Sequence, residues 1–87
     1  MKKQTFLATL VDKTGEMKDF YRFSCQRAET VEKKIREAAS TGSTGLSSLY
    51  RTLWMQAGVV ACEIWATPDG YHKEKEPVIR FPMDWAA

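Results

Sequence analysis

The stretch VVACEIWA, residues 59–66, constrains the fold more than any other part of the chain. At the two-residue period of a strand, one face is Val60, Cys62, Ile64 and Ala66. The other is Val59, Ala61, Glu63 and Trp65. A half-buried strand alternates apolar with polar, because only one face leaves water. Here both faces are apolar around a single Glu. The strand must lie inside a sheet with one face on a core, and its second face must touch something else.

The rest of the chain supplies the elements for such a sheet. QTFLATLV, residues 4–11, alternates and is rich in strand formers. DKTGE can turn the chain with Gly15 left-handed, and MKDFYRFSC, residues 17–25, reads as the return strand of a hairpin. Residues 28–39, AETVEKKIREAA, place Ala28, Val31, Ile35, Ala38 and Ala39 on one helical stripe, with Glu29–Lys33 and Glu32–Arg36 as i,i+4 pairs. STGSTG, residues 40–45, has the composition of a flexible linker. Residues 46–57 follow helical spacing through Leu46, Leu49, Tyr50, Leu53, Trp54 and Ala57, so Leu53 and Trp54 are expected to be buried against the sheet. Gly58 can end that helix. After the opening strand, TPDG makes a turn, and a short strand around Val78–Phe81 ends at Pro82. Residues 82–87 form a C-terminal tail.

The order ββααββ predicts a single small α+β domain over residues 1–87: a four-stranded, mainly antiparallel sheet with two helices packed on one face. Strands one and three, long and apolar, are expected to be central neighbours. Eighty-seven residues bound the core to a thin one, carried largely by four Phe, three Trp and three Tyr.

Charge and cysteine usage narrow the function classes. The net charge of +2 does not by itself indicate a nucleic-acid partner. Cys25 and Cys62 fall in strand patterns and read as buried, reduced thiols of a cytoplasmic protein. The N-terminal apolar run is short and interrupted by polar residues, with no small-residue cleavage site, so no signal peptide is expected; nothing approaches a membrane span.

No catalytic constellation is legible. His72, the one histidine, stands beside Lys73 in a polar turn and has no nucleophile at a telling spacing. Without a C-x-x-C or H-x-x-H pair no metal is expected, and TGSTGLSS lacks the lysine of a phosphate loop. No cofactor is expected. Basic residues crowd the 18–36 region, where Arg27, Lys33, Lys34 and Arg36 are candidate phosphate contacts, but Glu29, Glu32 and Glu37 interleave with them as on a solvated helix face.

If the helices cover the face bearing Phe6, Leu10, Phe23 and Ile64, the second face presents Phe20, Arg22, Glu63, Trp65 and Arg80. Aromatic and arginine side chains are the usual anchors of interfaces. This face is expected to be the contact surface, with Trp65 at its centre, unless the tail residues Met83 and Trp85 or the arginine stems fold over it. The expected function is that of a small non-enzymatic binding protein occluding a larger macromolecule, a common role for motif-poor domains of phages and mobile elements. A protein partner is preferred and a homodimer is compatible. A nucleic-acid-binding module, and a small homodimeric enzyme with an interfacial site, are the alternatives.

Overall fold

In the computed structural model, residues 3–40, 46–69 and 72–86 are described. The elements are β1 (Gln4–Val11), β2 (Met17–Cys25), α1 (Ala28–Ala38), α2 (Leu46–Ala57), β3 (Ala61–Ala66) and β4 (Ile79–Pro82), followed by a 3₁₀ turn at Asp84–Ala86. The sheet is antiparallel throughout, in the order β2-β1-β3-β4, so the first and third strands are indeed central. The linker expected at 40–45 lies, apart from Ser40, outside the described residues, as does Gly70 of the TPDG turn.

Local chemistry explains the two sharp reversals. In the β1–β2 turn, the Asp12 carboxylate accepts from Thr14 N at 2.8 Å, Thr14 Oγ1 at 2.6 Å and Glu16 N at 3.0 Å. The Thr14 hydroxyl, foremost, holds the Asp12 carboxyl below the usual carboxylate range. Gly15 takes the left-handed conformation, φ 85°, that the turn requires. At the end of α2, Gly58 has φ 82°, Val59 N donates to Trp54 O at 3.0 Å, and Gly58 N donates to Met55 O at 3.2 Å. This is a Schellman cap, and Val59 and Trp54 join the core together, as its usual apolar contact does.

The core lies between the sheet and the helices. Phe6, Ala8, Leu10, Cys25, Cys62, Ile64 and Phe81 from the strands meet Val31 and Ile35 of α1 and Trp54 of α2. Two expectations are corrected. Val59, not Val60, enters this core, because the glycine cap delays the strand until Ala61. Leu53 is 50% exposed, and of the expected pair only Trp54, 1% exposed, is buried. A wheel explains it: Trp54 and Arg51 both turn inward, and Leu53 falls ~100° from Trp54 on the flank away from Arg51.

The tail also packs on the helix side rather than over the open sheet face. Met83 N donates to Val60 O at 2.9 Å, and Trp85 Nε1 donates to Val59 O at 2.7 Å. Arg51 Nη1 donates to Ala39 O at 2.6 Å and to Asp84 Oδ1 at 3.0 Å, and its guanidinium lies 5.0 Å from the Trp85 ring centre.

Candidate protein-binding surface

The open sheet face divides into a closed half and an open half. On the closed half, Trp65 is only 8% exposed, so it is not an exposed anchor. Its indole Nε1 donates to Thr9 Oγ1 at 3.0 Å, and the Thr9 hydroxyl donates onward to Glu63 O at 3.3 Å. Lys73 Nζ sits 3.9 Å from the Trp65 ring centre. The polar segment carrying Lys73 is tied to β3 by Glu74 N to Ala66 O at 3.0 Å and Val78 N to Ile64 O at 2.8 Å. The second face of VVACEIWA therefore touches Thr9 of β1 and the 72–78 connection. Beside it, Arg80 Nε approaches Glu63 Oε2 at 3.7 Å.

On the open half, Phe20 is 47% exposed and Arg22 projects beside it with no ion pair among the described residues. The five residues expected to form one contact surface are thus split: Phe20 and Arg22 on the edge strand β2, and Glu63, Trp65 and Arg80 on β3 and β4 in the other half of the sheet.

The opposite face of β2 carries a feature that periodicity alone did not reveal. Tyr21 and Phe23, with Lys34, Ile35 and Ala38 of α1 and Tyr50 and Trp54 of α2, line a largely apolar groove of about 240 Å³. Its aromatic wall is ordered: Tyr21 meets Tyr50 edge-on at 6.0 Å and Trp54 at 6.2 Å, and Tyr50 and Trp54 lie 5.6 Å apart. Asp19 organises it. Its Oδ2 accepts from Tyr21 Oη at 2.5 Å and from Trp54 Nε1 at 3.4 Å, while Oδ1 accepts from the Phe20 backbone N at 2.9 Å. Burial first, and then this hydrogen bond, pushes the Tyr21 hydroxyl up to about 12. The groove was readable in part: Tyr50 and Trp54 are spaced i,i+4 on one helix, and Tyr21 and Phe23 share one face of a strand.

The basic 18–36 region does not converge on one surface. Arg22 lies on the open sheet face. Lys34 stands over Phe23 on the helix side, 5.7 Å from its ring centre. Arg36 is paired with Glu32 at 2.7 Å and lies 4.3 Å from the Phe81 ring centre. Lys18 contacts Glu16 at 3.1 Å. Arg27 and Lys33 are exposed.

The Cys62 thiol is pushed up to about 12 by burial, so almost no thiolate forms at neutral pH. Cys25, also a free thiol, donates to Arg27 O at 3.2 Å. His72 is exposed, with Nδ1 2.6 Å from Asp69 Oδ2. Among the described residues no three His, Cys, Asp or Glu side chains gather where they could hold a metal ion, and no helix is long and apolar enough to cross a membrane.

Comparison of the chain with family models, with curated proteins and with solved structures returns no match.

Proposed function

We propose that this chain is a non-enzymatic binding protein that acts by surface contact with another protein, through the side of the molecule made by β2 and α2. One observation carries the reading. Seven large apolar side chains stand out as exposed among the described residues: Met17, Phe20, Leu49, Tyr50, Leu53, Met55 and Val78. All but Val78 belong to β2 or α2, two elements that meet through Tyr21, Tyr50 and Trp54. Scattered exposed apolar residues are ordinary, but a concentration on two neighbouring elements supports reading them as an interaction surface. Occlusion of a larger partner is the mechanism such a surface supports, in the manner of small phage and mobile-element inhibitors; the size of the chain and its motif-poor sequence favour that role.

The test is affinity capture from a host lysate treated with nuclease, with wild type beside Phe20→Ser and Leu53→Ser. A protein retained by wild type and lost by both variants supports the reading. Capture that vanishes with nuclease moves the function to nucleic acid. Capture indifferent to both substitutions removes β2 and α2 from the site.

A further inference from the structure

The edge of β2 is a long, lightly protected strand. Nine residues long and free of proline, it has β1 on one side and, among the described residues, no strand on the other. Strand alternation shows which of its peptide groups face outward. Thr67 N donates to Thr5 O at 3.2 Å, so the odd positions of β1 bond toward β3 and the even positions toward β2. The even positions pair with odd ones on β2, as Phe6 with Phe23 and Ala8 with Tyr21. Phe20, Arg22 and Ser24 therefore turn their peptide groups to the open edge. The Phe20 N–H is already held by the Asp19 carboxylate at 2.9 Å. That leaves the Phe20 carbonyl and both peptide groups of Arg22 and Ser24 to pair with an added strand.

We infer that the strand added at this edge is β2 of a second copy of the chain, running antiparallel about a two-fold axis at Tyr21. The inference rests on the reading of the β2–α2 side as a binding surface and names its first occupant. The register follows from charge. Centring the axis on Phe20 sets Lys18 against Arg22 of the other copy; centring it on Asp19 or Arg22 sets each of those against itself. Like charges directly opposite destabilise a strand pair. Centring on Phe23 avoids this but pairs only residues 21–25 of the strand. The axis at Tyr21 centres the pairing on the regular part of the strand, beyond the β-bulge opposite Leu10 and Val11, opposes no like charges, and lays each Phe20 beside Arg22 of the other copy. That cross-strand contact is a cation–π pair formed twice.

The helix completes the seam. Arg51 reaches the tail beyond β4, on the far side of the sheet from β2. Leu49 and Leu53 lie on the opposite flank of α2, 64% and 50% exposed. Two copies joined along β2 bring these flanks toward each other over the axis. One contact then removes from water the strand edge and the leucine stripe, while each Phe20 ring gains Arg22 of the other copy as a neighbour on the open face. The sheet becomes eight-stranded, and its open face, with two Phe20–Arg22 pairs at its centre, stays available to a further partner.

Sedimentation and amide hydrogen exchange on the full chain test this. Wild type at ~50 µM is expected to sediment at twice the 9.9 kDa chain mass. The Arg22 and Ser24 amides are expected to exchange at least tenfold more slowly there than on dilution to monomer. Phe20→Lys, which sets an ammonium against Arg22 of the other copy, is expected to halve the mass while melting near wild type when both are compared at a dilution where both are monomeric. Wild type that remains monomeric to ~100 µM overturns self-pairing; if that monomer still retains a foreign protein which Phe20→Lys loses, the broader surface reading survives alone. A dimer whose Arg22 and Ser24 amides exchange as fast as in the monomer overturns the β2 seam, whatever its mass.

Discussion

The two edges of the sheet are finished in opposite ways. β4 is four residues long, follows Pro77 by two positions and ends at Pro82, which denies it a full row of donors. Its neighbour β3 is closed over by Lys73 on Trp65 and by the Glu63–Arg80 pair. β2 is more than twice as long, and its protection is lighter: a bulge opposite Leu10 and Val11, and the Asp19 carboxylate on the Phe20 N–H. Long bare edges invite pairing, and selection blunts them where pairing is harmful. The contrast teaches that aromatic content does not locate a surface. Trp65, the largest side chain on the open face, belongs to the closed side, whereas Phe20 and Leu53 belong to the open one.

The sharpest way to break this contrast is at the core residue that supports the open side. Trp54 is 1% exposed and meets Tyr21, Tyr50 and Asp19. Trp54→Ala is expected to cost about 3–5 kcal/mol in denaturant unfolding, the range for a buried large aromatic, and a thin core has little to spare. A loss below ~1 kcal/mol would mean that α2 is not seated on the sheet.

Next comes the closed side. Trp65→Ala is expected to cost about 3 kcal/mol, because the ring is buried and its N–H is paired with Thr9. Partner binding and assembly are expected to stay at wild-type strength. Lys73→Met, which removes the ammonium over the ring but keeps an unbranched stem, should cost about 0.5–1 kcal/mol. A stable Trp65→Ala protein that no longer binds would return Trp65 to the contact surface.

The groove gives a pH test. The raised Tyr21 value means that the folded state favours the neutral phenol. The stability it contributes is whole below the unfolded value near 10 and is lost as pH climbs through about 12. The phenolate absorbance of wild type minus that of Tyr21→Phe should therefore rise near 12. A difference curve centred near 10 would show that burial and Asp19 do not hold the hydroxyl.

Much of this was legible in the sequence, and the failures have physical causes. Strand alternation gave β1, β2 and the hairpin, because period two survives wherever one face is buried. The central place of β1 and β3 followed from their apolar length. The Leu53 error came from a stripe too wide to bury: six apolar positions on α2 exceed what one narrow sheet face can cover, and periodicity does not say which flank is left out. The Trp65 error came from its cover. Residues 72–76 read as plain polar turn, and only the fold brings the Lys73 ammonium onto a ring from another element. The edge role of β2 was partly visible in chain lengths, since a nine-residue run without proline and a four-residue run between two prolines do not finish a sheet alike.

The smallest expected effect discriminates the two sides most finely. Leu53 sits on the open flank of α2, half exposed, and buries little against its own chain. Leucine and alanine differ little in helix propensity, so Leu53→Ala neither strains the backbone nor empties a cavity. Its expected cost in monomer stability is within ~0.5 kcal/mol, as for other surface substitutions. Dimer dissociation, read by sedimentation across a dilution series, should respond to the same residue far more than unfolding does; the expected change is a weakening of about tenfold or more, as truncation at an interface centre produces. If instead unfolding shifts by ~2 kcal/mol or more with assembly unchanged, Leu53 is packed within its own chain, as the cost of truncating a buried leucine would show. The open side would then be a second core face, finished like the β4 side, and the asymmetry between the two edges would be gone.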